Sequence, residues 1–254
     1  MDQRHHRIFN EQVWYSKKVI SQLFGSQDYY GKRILELGCA EGGGLHYFAR
    51  KGADCQGIEY SHSRFLNAVE QSNSVGINII HGDILNPDTY KQKVYEKFDY
   101  IIIRDVIEHL EDKVLAFNNI MQLLRPGGKL FISFPPKYSP YAGHQQNSTI
   151  QIGRLPYIFL IPNNLYNGLL KIIAEREENI DGLLAIKRTR ISIHRFEQLC
   201  SQFGLKQMIR QLYLIRPCYE FRYGWKRIKN PFGFIPIIRE ITTLGALYVL
   251  KLGD

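Results

Sequence analysis

Three carboxylates stand where short apolar runs give way to loops: Glu36 in RILELG, Glu59 in CQGIEYS and Asp83 in NIIHGDIL. Glu36 is followed by Gly38, Gly42, Gly43 and Gly44, with Cys39, Ala40 and Glu41 between them. Glycines at this density let a ligand approach the backbone closely. Acids at the ends of apolar runs suit a ligand that carries hydroxyls, amines or positive charge. Gly38, position 40 and Gly43 keep the GxGxxG spacing of a dinucleotide turn, but Ala40 stands where that turn needs glycine beside a pyrophosphate. Glu36 would also repel that group, so NAD or FAD is the poorer reading. A ligand without phosphates fits better. Glu59 is placed to accept both hydroxyls of a ribose, and Asp83 to accept the exocyclic amine of an adenine with Ile84 packed on its ring. The glycines leave room for an amino-acid moiety, and the three parts together describe S-adenosylmethionine.

The elements that must hold these groups alternate along the chain. Residues 8–24 have apolar positions at helical spacing. The strands read as 33–37, 55–59, 77–81, 98–104 and 129–134. Helices read as 45–50, a stretch from a Ser61 cap, and 113–124 stopped at RPGG. Such alternation calls for right-handed crossovers and a mostly parallel sheet with helices on both faces. In that architecture ligands sit beyond the carboxyl ends of the strands, where Glu36, Glu59 and Asp83 lie. Beyond Phe134 the rhythm breaks. Residues 135–190 are read as an insertion, followed by a helix over 193–203, a strand over 205–215, a second excursion at 216–240 and a last strand over 241–250.

ELGCAEG, GIEYS, HGDIL, FDYIIIRDVIEHLED and LLRPGGKLFISFP, in this order and spacing, resemble the class I S-adenosylmethionine-dependent methyltransferases, most of all the branch that modifies small molecules, quinones, lipids and sugars. The resemblance covers about residues 30–135. It implies an α/β, Rossmann-like sheet of seven mostly parallel strands with the last strand antiparallel, in a single domain over 1–254 that carries a helical lead-in (1–30), a substrate lid (135–190) and a basic aromatic excursion (216–240). It places Glu36, Gly38, Cys39, Ala40 and Gly42 in the methionine-binding loop, Glu59 with Tyr60 at the ribose, Asp83 and Ile84 at the adenine, and Arg104 and Asp105 beside the sulfonium. Ala40 departs from the usual glycine.

Methyl transfer to a hydroxyl needs a base, and the candidates are His109, in DVIEHL, and His144, in SPYAGHQQ, with Asp105 also in the catalytic set. Asp105, Glu108 and His109 also form DxxEH, a set of oxygen and imidazole ligands that His144 could complete around a divalent ion. The alternative is a metal-free helix start, and no metal is assigned. The four cysteines are scattered without CxxC spacing, which favours free thiols in a reducing compartment.

The chain carries a formal charge of +9. Between Lys187 and Lys251 thirteen Lys/Arg face three Glu, an excess greater than that of the whole chain. A polar start and the lack of a long apolar run predict a cytoplasmic protein, peripheral at most on the inner membrane face. The expected acceptor is a small molecule, lipid-linked or phosphorylated. It would be a hydroxyl of a cell-envelope sugar or a quinone-like ring. The basic, aromatic stretch RPCYEFRYGWKRIKNPFGFIP also suits a membrane interface or, less well, single-stranded RNA. An RNA methyltransferase and a non-catalytic binding module are the alternatives. Steep salt-dependent retention of polynucleotide would mark the first, and absence of cofactor binding the second.

Overall fold

In the computed structural model the residues described are 3–94, 96–143, 145, 148, 150–172 and 176–252. The chain opens with helix α1 (Gln3–Tyr15), a π-helical turn (Ser16–Ile20) and α2 (Ser21–Phe24). Then come β1 (Arg33–Leu37), α3 (Gly43–Ala49), β2 (Asp54–Glu59), α4 (His62–Ser72), β3 (Asn78–His81), β4 (Phe98–Arg104), α5 (Lys113–Leu123) and β5 (Leu124–Phe134). The insertion supplies α6 (Asn163–Ile172) and α7 (Glu177–Thr189), and the remainder supplies α8 (Ile193–Gln202), β6 (Leu205–Ile215), α9 (Cys218–Tyr223), β7 (Ile228–Lys229), α10 (Pro236–Thr242) and β8 (Gly245–Leu252).

The strands form one sheet in the order β3-β2-β1-β4-β5-β8-β6-β7. β1 to β5 are mutually parallel; β8 runs antiparallel to both β5 and β6. Strand order reverses at β1, which lies between β2 and β4, so the switch point falls at the tip of β1. Period-two alternation divides the core. Leu35, Leu37, Ile101 and Ile103 pack on one face with Phe117 of α5 and Phe196 of α8. Ile34 and Ile102 pack on the other with Tyr15, Phe24 and Phe48 of α1, α2 and α3.

The expected fold class holds, with eight strands in place of seven. The extra one is the two-residue β7, which pairs with β6 at the sheet edge. β5 begins at Leu124 and runs through RPGG, with Gly127 at φ +73, where the pattern predicted a turn after the helix. Proline and glycine are accommodated there because the pairing with β4 shifts register between Phe98 and Tyr100. The last strand starts at Gly245 because α10, entered through Pro236, continues to Thr242. The insertion forms a small core of its own from Ala142, Phe159, Tyr166, Leu170, Ile180 and Leu183. No helix is expected here from sequence, although residues 163–172 carry apolar positions at helical spacing. What stays hidden is the core they join, which draws on residues spread over some forty positions.

Candidate active site

β1 and β2 end side by side, with Leu37 opposite Ile58 and the Gly38 amide donating to the Ile58 carbonyl at 2.8 Å. The loop then turns through Gly38 at φ +69 and Ala40 at φ +51. Gly38 has no alternative: a Cβ there would lie 2.5 Å from Val106 Cγ2. Ala40 adopts a left-handed conformation that side-chain-bearing residues adopt at a cost of roughly 1–2 kcal/mol. Glu59 holds it there. One carboxylate oxygen accepts the Ala40 N–H at 2.7 Å and the other the Ser61 N–H at 2.8 Å. Ser61 precedes α4 as expected, but its hydroxyl makes no cap hydrogen bond.

The other end of the loop is sealed from behind. Gln12 of α1 donates through Nε2 to the Cys39 carbonyl and accepts the Gly43 N–H, each at 3.0 Å. The amide of Gly43, the first residue of α3, is thereby satisfied within the protein. Glu36 is buried under the same turn, and a Cβ on Gly44 would lie 2.5 Å from its Oε2. Burial lifts the Glu36 carboxyl to about 7. Cys39 is likewise buried, and burial pushes its thiol well up.

These elements surround a cleft of about 870 Å³. Its walls include Gly38, Ala40, Glu59, Tyr60, Asp83, Ile84, Arg104, Asp105 and His109 from the predicted set. Glu36, Cys39 and Gly42 do not line it; they shape the loop from behind. Asp83 is half-buried, and its Oδ1 accepts the Leu85 N–H at 2.9 Å. The carbonyl of Ile84 accepts from Asn119 at 2.8 Å, which fixes the apolar strip beside it. Tyr60 stands exposed on the rim.

The far end of the cleft is made of ion pairs. Asp105, at φ +54, accepts from Arg216 Nη2 through both oxygens at 2.6 and 2.5 Å. Burial alone would raise the Asp105 carboxyl, but Arg216 and then Arg104 outweigh it and hold it below the usual range. Glu11 of α1 takes a two-point contact from Arg222 at 2.7 and 2.9 Å and lies 4.0 Å from Arg104, whose guanidinium covers the Tyr15 ring. Glu108 is fully buried in this wall, with neither carboxylate oxygen hydrogen-bonded among the described residues. Burial, reinforced by Asp105, raises its carboxyl far above the ordinary value. Desolvation lowers the His109 imidazole against the opposing pull of Asp105, although the ring stands exposed at the cleft.

Arg216, Arg222, Glu11 and Gln12 were not singled out from sequence as site residues. They come from the second excursion and the lead-in helix, and no local spacing links them to β4 or to the glycine loop. The first two are visible in sequence only as part of the basic C-terminal region. No described residue of the insertion lines the cleft; Thr189 reaches the site by donating to the Glu108 carbonyl at 2.6 Å. His144 lies outside the described residues. Among the described residues no three His, Cys, Asp or Glu side chains are arranged to hold a metal ion. Asp105 is instead committed to Arg216.

The cleft discriminates between the two ligand classes. A pyrophosphate needs free amides at the start of α3, and there the Gly43 amide is taken by Gln12, with Glu36 and Glu41 buried close by. Carboxylates at the tips of β2 and β3, a closely approached loop at Gly38 and an apolar strip at Ile84 fit an adenosine bearing a cationic sulfur. A methyltransferase-domain family model matches residues 5–207, most of the chain. Phosphoethanolamine N-methyltransferase 1 from Zea mays is 36% identical over 104 residues, spanning 41% of this chain and 20% of that one. Ubiquinone biosynthesis O-methyltransferase from Aeromonas salmonicida (strain A449) is 31% identical over 110 residues, spanning 41% of this chain and 43% of that one. The chain thus spans less than half the length of either relative. The crystal structure of the plantazolicin methyltransferase BamL, in complex with a triazolic desmethylPZN analog and SAH, shares the fold at TM-score 0.54 and 16% identity over 98% of this chain and 86% of that one. Loop, strand tips and sequence match agree, and this chain belongs to the S-adenosylmethionine-dependent methyltransferase-domain family.

Proposed function

We propose that the chain transfers a methyl group from S-adenosylmethionine to a hydroxyl of a small-molecule acceptor, either a sugar of a cell-envelope glycan or its lipid-linked precursor, or a quinone-like ring. One observation carries the cofactor side of this reading. The amide that a phosphate would need is capped by Gln12, while Glu59 and Asp83 face the cleft from adjacent strand tips. When bound, the cofactor supplies an electrophilic methyl on a positively charged sulfur.

The protein's contribution is mainly positional, and holding reactants in line contributes roughly 7–11 kcal/mol to lowering a barrier. Glu59 orders the loop and receives the ribose, and Asp83 with Ile84 receives the base. Asp105, fixed as a carboxylate by Arg216, offsets part of the positive charge that the arginines bring to the far end of the cleft. The same pairing makes Asp105 a poor proton acceptor. His109 is the better base, because it lines the cleft as an exposed imidazole, the side chain that most often serves as a general base. His144 keeps its place as a second candidate on sequence grounds.

The test is mass spectrometry for the gain of one CH₂ across glycan, quinone-ring, phosphorylated-amine and RNA acceptors. The named relatives divide between oxygen and nitrogen acceptors, so both belong in the panel. Modification of a hydroxyl is the expected result. Modification of RNA alone, or of the amine alone, would overturn the acceptor reading. Replacing His109 with Ala should cut turnover by about 10²–10⁴-fold while cofactor affinity holds, and unchanged turnover would remove His109 from the chemistry.

A further inference from the structure

Large apolar side chains are exposed mainly in two segments far from each other in sequence. Residues 152–172 of the insertion expose Ile152, Leu155, Tyr157, Leu160, Leu165 and Ile172. Residues 223–241 expose Tyr223, Trp225, Ile228, Phe232, Phe234, Ile237, Ile238 and Ile241. Exposure reaches 83% at Ile172 and 75% at both Phe234 and Ile237, values that burial in the protein's own core cannot explain. The two segments meet where the Tyr157 hydroxyl donates to the Ile241 carbonyl at 3.2 Å.

The charges of these segments have one sign. Arg154, Lys171, Lys226, Arg227 and Lys229 lie among the apolar residues, and the single acid in either stretch is Glu240. Glu240 is turned to the amides of Ile193 and His194, and so is spent as a cap of α8. Lys226 and Lys229 are exposed on either side of Ile228. Arg227 is paired with Glu220, while Lys226 and Lys229 stand exposed, and exposed apolar side chains interleaved with such cations fit a surface that is apolar within and anionic at its edge.

We infer that residues 152–172 and 223–241 form a docking surface for an anionic lipid bilayer. A second copy of the chain fits poorly, because the patch would set like charges against each other. Single-stranded RNA also fits poorly, since recognition of bases needs stacking rings and nine of the fourteen exposed apolar residues are aliphatic. Tyr223 and Trp225 suit the headgroup layer, where amphipathic rings collect. The association is peripheral: among the described residues no helix is long and apolar enough to cross a membrane. This surface stands independently of the acceptor proposed above.

Sedimentation with vesicles tests it, using the whole chain with neutral phosphatidylcholine or with phosphatidylcholine containing about a third phosphatidylglycerol. The chain should pellet with the anionic vesicles and much less with the neutral ones. Lys226→Gln with Lys229→Gln should weaken that partition roughly 25-fold, about fivefold per cation. Phe234→Ser with Ile237→Ser should weaken it about tenfold or more. Both pairs are exposed, so cofactor binding measured alongside should be unchanged. Failure to pellet, equal partition to both vesicles, or insensitivity to both double variants would overturn the proposal. So would a dimer in sedimentation velocity that Phe234→Ser with Ile237→Ser dissociates, or retention of polynucleotide in preference to vesicles.

Discussion

Replacing Glu59 with Ala removes two things at once, and the structure allows them to be separated. On the protein side, the carboxylate accepts the amides of Ala40 at 2.7 Å and Ser61 at 2.8 Å. A hydrogen bond to a charged group contributes about 1.5–3 kcal/mol. The Ala40 bond is buried, while the Ser61 bond is partly open to water, which can replace it. The expected loss of folding stability is therefore about 2–4 kcal/mol. On the ligand side, loss of the ribose partner should weaken cofactor affinity by at least about tenfold, the low end for such a bond. Release of Ala40 from its left-handed conformation adds to that loss, because the loop must then be reordered on binding. Calorimetric titration with S-adenosylhomocysteine reads the second effect, and urea denaturation without ligand reads the first. Glu59→Gln keeps one acceptor oxygen and should fall between wild type and Ala in both assays. Wild-type affinity in Glu59→Ala would refute the ribose assignment. Lost affinity with unchanged stability would refute the claim that this carboxylate holds the loop.

Three further outcomes follow from the same geometry. Glu36 has its carboxyl raised by burial to about 7 from 4.5, so its neutral form favours the folded state; that stabilisation is complete below about pH 4.5 and is lost as pH rises through about 7. Glu36→Gln should therefore be the more stable protein at pH 8, by up to roughly 3 kcal/mol, with the advantage shrinking toward pH 5 in urea titrations; a difference that does not change with pH would contradict the assignment. Gly38→Ala should abolish measurable cofactor binding and lower the melting temperature, since the added Cβ meets Val106 Cγ2 at 2.5 Å from a backbone at φ +69. Arg216→Ala leaves the half-buried Asp105 carboxylate without its two-point partner and should cost about 1–3 kcal/mol of stability. Arg216→Lys, which keeps the charge but not the guanidinium geometry, should recover only part of it, and full recovery would show that charge alone matters there.

The strand tips were legible because each parallel strand is a short apolar run that must end where burial ends. Glu36, Glu59 and Asp83 mark three of those ends, and the glycines of 38–44 mark the first turn. The closing strand was likewise readable from ITTLGALYVL, apart from its first residues, which α10 claims, while its antiparallel direction came only from the family resemblance. The partners of the site's polar groups were not legible. Gln12 meets the loop from 27 and 31 positions away, Arg216 meets Asp105 from 111, and Arg222 meets Glu11 from 211. Hydrophobic periodicity is a local consequence of burying one side of an element, so it survives in the sequence of that element. An ion pair across the molecule leaves no such trace. Which arginine reaches Asp105, and which helix caps the glycine loop, is decided only when packing brings distant segments together and each buried charge or amide must find a partner.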